Sequence, residues 1–177
     1  AISNYDFDGI FFNMMGYTTS DYSGNYHGIC RCENCKRRFH DSTGFRLPIT
    51  SDMNDPVFRA YRAFQETTTE ELFNKIRGFA KSLNPSIIIN TYTDAGVDFI
   101  TTESGSSLRD GYESNYYATS NLKPTLGSYN DRIPCNLLMY FQAIGYRHIG
   151  TSPNIARNWL LENMIHGAPV TFVVVGT

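Results

Sequence analysis

The chain has 177 residues, 41% of them hydrophobic, which is enough to bury a core. Its 15 Lys and Arg stand against 17 Asp and Glu, a formal net charge of -2, without the basic excess of a nucleic-acid binder. No apolar run approaches the roughly 20 residues of a membrane span, so neither nucleic acid nor membrane is an expected partner.

In chain order, Tyr5 to Asn13 predicts a buried strand, because Ile10, Phe11 and Phe12 are consecutive apolar residues. Met14 to Gly28 has no helical period and reads as a long loop. A helix follows, with Asp55 as cap and Pro56 at its first position. Val57, Phe58, Tyr61, Phe64, Thr68, Leu72, Ile76, Phe79, Ala80 and Leu83 recur along it at helical spacing, and Asn84-Pro85 ends it. Ser86 to Asn90 and Val97 to Thr101 predict two more strands. Ser104 to Pro134 reads as an extended loop region rich in Gly, Ser, Asn and Tyr. Cys135 to Ile144 and Asn154 to His166 predict helices, and Val170 to Val175 a last strand. Ala1 in place of Met points to processing or to a boundary upstream.

Apolar strands alternating with helices predict an α/β fold with a parallel sheet. A doubly wound sheet shares that pattern. Two features favour a (β/α)8 TIM barrel. Polar residues cluster past strand ends at Asn13, Thr91 to Asp94 and Glu103, and no glycine-rich phosphate loop follows a strand. A whole barrel takes about 250 residues. Residues 1–177 are therefore read as a single, incomplete barrel domain covering the middle and later strands.

Glycosidic bonds are usually cleaved by two carboxylates flanking the bond. Glu103 at the end of the third strand and Glu113 in the following loop are the candidate acids, with Asn13 on the same expected rim. Tyrosine and phenylalanine, 12 of each, supply faces for sugar stacking, although most such rings belong to cores.

Several motifs occur in a characteristic order: Tyr5-Asp-Phe-Asp-Gly-Ile-Phe-Phe-Asn-Met-Met15, Cys30-x-Cys32-x-x-Cys35-x-x-x-Phe39, and Gly44-x-x-Leu47-Pro48. With Thr102-Glu-Ser104, Tyr146-Arg147 and the stretch from Gly167 to Gly176, this order resembles the hypothetical glycosyl hydrolase 6 family. These are barrel proteins related to α-L-fucosidases and, more loosely, to family 42 β-galactosidases. The resemblance implies a glycosidase whose nucleophile stands at position 13, normally as Asp. Here the residue is Asn13, a neutral amide that cannot form the glycosyl ester. Three readings follow: a catalytically silent carbohydrate binder, a carboxylate role moved to a neighbour, or substrate assistance. Glu103 is the candidate acid/base, or else a residue that binds a sugar hydroxyl. Tyr17, Asn90, Tyr92 and Asn115 are candidate substrate-lining residues, or else loop packing. Arg147 pins a loop carboxylate or sits on the surface.

Cys30, Cys32 and Cys35 are three of four cysteines in the chain, clustered where a disulfide framework would spread them. The resemblance to family 42 β-galactosidases implies a structural zinc there. Three thiolates leave one tetrahedral position. His27 is the first choice for it because it shares the loop with Cys30; His40 and Cys135 are the substitutes. The alternative is a loop of reduced thiols without metal. A zinc-stapled interaction module is thus a third function class beside glycosidase and sugar binder. Reduced thiols favour the cytoplasm and polysaccharide processing favours the outside. Assembly with further copies of the chain stays open.

Overall fold

A computed structural model describes residues 2–21, 23–92, 96–105, 116–141 and 148–173. The backbone divides into two compact units, residues 1–8 with 12–87, and residues 9–11 with 88–177.

The first unit contains two helices. α1 spans Glu33–Thr43 and is polar except for Cys35 and Phe39, which lie four residues apart on one face and are both buried. Cys32 caps its N-terminus, and Gly44 ends it with φ 73°, donating its N–H to the His40 carbonyl at 2.7 Å. α2 spans Pro56–Leu83, 28 residues, about 42 Å at 1.5 Å per residue. It starts where the sequence predicts. The Asp55 carboxylate accepts the Val57 N–H at 2.9 Å, and Pro56 occupies the first turn, where no donor is needed. The predicted apolar face holds through Thr68. Beyond it, Phe73 and Ala80 are buried, whereas Leu72, Phe79 and Leu83 are exposed. The core joins Ile29, Phe39, Phe58, Tyr61 and Phe64. Phe39 meets Phe64 at 5.4 Å and Tyr61 at 5.7 Å between ring centroids, both edge to face, the geometry that aromatic quadrupoles favour.

The second unit holds all the strands described. β1 (Gly9–Phe11) pairs in parallel with β2 (Ile88–Asn90), Phe11 opposite Asn90. β3 (Phe99–Gly105), β4 (Ile133–Met139) and β5 (Val170–Val173) form a second parallel sheet in the order β3-β4-β5. Asp98 stands where a ladder between β2 and β3 would start. Its carboxylate accepts the Ile89 N–H at 2.7 Å, and its own N–H donates to the Ile89 carbonyl at 3.1 Å. A side chain here takes the donor that a main-chain ladder would use, and two separate sheets result. The barrel expectation is thereby corrected. The described residues form five strands in sheets of two and three, with no closed barrel, where a TIM barrel closes on eight.

Three further expectations are corrected. The helix predicted from Cys135 is the strand β4, and the strand predicted over Val97 to Thr101 begins at Phe99 and runs on to Gly105. The predicted loop between Ser104 and Pro134 contains helix α3, Tyr117–Ser128. α4 spans Pro153–Ile165, within a residue of the predicted Asn154 to His166 at each end, and Gly167 follows it with φ 66°. Ala118 of α3, Leu138 of β4 and Trp159 of α4, each without solvent exposure, make the core of this unit.

Candidate functional site

The Cys30-x-Cys32-x-x-Cys35 segment crosses from loop into helix, and that crossing gathers its sulfurs. Cys32 is extended (φ -66°, ψ 154°), so its side chain turns back over the first turn of α1 and accepts the Cys35 N–H at 3.4 Å. Cys35, one turn inside the helix, points the same way. Cys30 is fixed from behind, its N–H donating to the Tyr61 hydroxyl at 3.1 Å. Cys30 Sγ lies 3.6 Å from Cys32 Sγ, and the three sulfurs all lie within 4.8 Å of one another. Tetrahedral coordination with metal–sulfur bonds near 2.3 Å places sulfurs about 3.8 Å apart. The three cysteines therefore fit a metal ion.

Their environments differ. Cys32 is exposed, Cys30 half-buried, and Cys35 buried. The hydrogen bond from the Cys35 N–H, reinforced by the Cys35 and Cys30 side chains, holds the Cys32 thiol below its ordinary value. Burial, aided by the neighbouring sulfurs, pushes the Cys35 thiol up to about 12. Metal binding requires both to be thiolates, so a bound cation would supply the charge that burial denies Cys35. The Tyr17 hydroxyl closes the inner side, 4.0 Å from Cys35 Sγ and 3.0 Å from Thr68 Oγ1. Tyr17 thus stands beside the cysteine cluster.

His27, the expected fourth ligand, is not in the cluster formed by the described residues, and neither are His40 and Cys135. The His27 Nε2 lies 3.1 Å from Asp21 Oδ2. Asp21 also accepts the N–H groups of Ser23 and Asn25 at 2.9 Å each, and the Asn25 amide at 2.9 Å. His27 therefore belongs to a loop organised by one carboxylate. Cys135 is in the other unit, on β4, with its thiol 3.9 Å from Thr171 Oγ1.

A second constellation lies in the second unit. The Tyr92 hydroxyl, two residues past β2, donates to the Glu103 carboxylate on β3. Phe11, at the end of β1, packs edge to face on Tyr92 at 5.1 Å between centroids. The C-terminal ends of β1 and β2 and the C-terminal half of β3 thus present two rings and a carboxylate together, all three exposed. Glu103 is positioned through its main chain, whose carbonyl accepts from the Asn121 amide of α3. Asn121 also donates to Ser104 Oγ at 3.1 Å, and Ser104 donates to buried Asn136 at 3.1 Å. Asn90 is buried and donates to Thr101 Oγ1 across the gap between sheets.

Of the residues predicted from sequence, the structure brings together Cys30 with Cys32 and Cys35, and Tyr92 with Glu103. Asn13 is exposed in the turn after β1 and falls in the first unit, whereas Glu103 falls in the second. Glu113, Asn115 and Arg147 lie outside the described residues. Sequence reasoning missed Tyr61 at the back of Cys30, and Phe11 beside Tyr92, because each reads simply as an apolar position in a periodic element. No signal marks Asn121. Comparison of the chain with protein-family models, curated proteins and solved structures gives no match.

Proposed function

We propose that the chain handles carbohydrate through the Phe11, Tyr92 and Glu103 constellation, as a binding surface in the first place. The observation that carries this reading is an exposed carboxylate on β3 held beside two exposed rings, one at the end of β1 and one just past the end of β2. Rings give apolar faces for the C–H face of a pyranose, and a carboxylate accepts its hydroxyls. Binding is favoured over cleavage because hydrolysis requires a second carboxylate, and the position that the family resemblance assigns to the nucleophile holds Asn13. Calorimetric titration of the full chain with aryl glycosides and oligosaccharides tests the proposal. Tyr92→Ala and Glu103→Gln are each expected to weaken binding by roughly tenfold, about 1.4 kcal/mol, with unchanged circular dichroism. Wild-type affinity in both variants ends the proposal. Turnover of an aryl glycoside by Asn13→Asp, but not by the wild type, would identify position 13 as a lost nucleophile.

For the cysteine cluster, we infer that the ion is zinc in a structural role. An all-sulfur donor set suits zinc, and the cluster is built against a hydrophobic core instead of a polar cleft. When bound, zinc would tie the loop carrying Cys30 to the first turn of α1. Elemental analysis of protein purified without chelator checks it. One zinc per chain is expected, falling to none in Cys35→Ser; metal-free protein with reduced thiols would refute it.

A further inference from the structure

The three sulfurs are not equivalent toward a reagent arriving from solvent. Cys32 is exposed and Cys30 half-buried, and their sulfurs are 3.6 Å apart. Cys35 is buried, with the Tyr17 hydroxyl 4.0 Å from its sulfur. A disulfide needs sulfurs about 2.05 Å apart, so rotation of these two side chains by little more than an ångström and a half would join them. Cys32 also sits at the N-terminus of an 11-residue helix, outside the core, where a small oxidant reaches its sulfur first.

We propose that Cys32 and Cys30 are a peroxide-sensitive dithiol, whose closure to a disulfide dismantles the metal centre. The Cys32 thiolate attacks one oxygen of hydrogen peroxide, the O–O bond breaks, hydroxide leaves, and Cys32 carries a sulfenic acid. The Cys30 thiolate then attacks the Cys32 sulfur, the S–O bond breaks, and a second hydroxide leaves. Two thiolates have lost two electrons and one peroxide has gained them. Of the three cysteines that would hold an ion, only Cys35 would then remain as a ligand, and the site would lose its grip on the metal. The release step rests on the metal reading given above; the dithiol step does not.

The test uses the full chain, both as purified and after metal removal, treated with hydrogen peroxide. Free thiols are blocked under denaturing conditions, the protein is reduced, and newly freed thiols receive a second label. Cys30 and Cys32 should carry the second label and Cys35 the first, with one metal ion released to a chromogenic chelator for every two thiols lost. In Cys30→Ser, Cys32 should instead stop at the sulfenic acid and be trapped by a dimedone probe. A Cys32–Cys35 bridge, or a sulfinic Cys32 with no bridge, overturns the dithiol. Bridge formation in a chain that never held metal sinks the zinc reading and leaves the dithiol standing. Bridge formation with metal retained sinks the release step.

Discussion

Cys32 and Cys35 show how one turn of helix separates two chemically identical side chains. The first is exposed and accepts a backbone N–H, and the second is buried with the Tyr17 hydroxyl 4.0 Å from its sulfur. Thiolate is the reactive species in alkylation. In metal-free protein near pH 8, iodoacetamide should therefore modify Cys32 well before Cys35, and before Cys135, whose thiol burial pushes up. Timed quenching and peptide mass spectrometry give the order, and equal rates at Cys32 and Cys35 would contradict the arrangement. Asp21 offers a second case. The Asn25 side chain, then the Asn25 N–H, hold its carboxyl below the usual carboxylate value of 3.8. A lowered value means that the carboxylate favours the ordered loop above pH 3.8, and that this contribution fades as pH falls through the folded value. The Ser23 and Asn25 amide resonances should lose their hydrogen-bonded shifts in that acid range. In Asp21→Ala they should lack those shifts at neutral pH as well.

At the scale of elements, α2 is the clearest instance of local sequence deciding structure. Asp55 and Pro56 define its start and Asn84-Pro85 its stop, all by backbone chemistry that needs no tertiary partner. Asp55→Ala should lower the stability of the first unit by about 1 kcal/mol, the usual worth of a side-chain cap, measured by denaturant titration. A loss under a few tenths would show that packing alone fixes this end. The segments that sequence misassigned are those in which tertiary contacts decide. Leu137, Leu138 and Phe141 satisfy a helical spacing, yet so short an apolar run also suits a buried strand. Ladders on both sides, to β3 and β5, settle it in favour of β4. α3 contains Pro124, Gly127 and several polar residues, which outweigh its few good helix formers in any local reading. It forms because Ala118 and Leu122, one turn apart, are both fully buried, with Ala118 in one cluster with Leu138 and Trp159. α1 was hidden for the opposite reason. With Cys35 and Phe39 as its buried pair, it shows too few apolar positions to display a period. The candidate site was legible to the same extent. The cysteine spacing is local and readable, while the meeting of Tyr92 with Glu103 and Phe11 depends on which strands lie side by side.

Across the whole molecule, the two units differ in what fills them, and that difference supplies separate probes. The first is packed with tyrosine and phenylalanine rings around the helix pair and carries the cysteine cluster. The second is packed around Trp159, the single tryptophan of the chain, which is fully buried. Tryptophan emission therefore reports the second unit, whereas near-ultraviolet dichroism of tyrosine includes Tyr17 and Tyr61, the two rings that touch the cysteine segment. If zinc ties the Cys30 loop to α1, a strong chelator should reduce the tyrosine dichroism and leave Trp159 emission at its buried wavelength. Amide exchange over residues 30 to 36 should quicken in the same experiment, because the capping bonds at Cys32 lose the ion that orders the loop. Readdition of zinc should restore both signals at one equivalent. A red shift of Trp159 on chelation would mean that the ion stabilises more than the unit that holds its ligands. No change in tyrosine dichroism would mean that the aromatic core alone, built from Phe39, Phe58, Tyr61 and Phe64, suffices to order the segment.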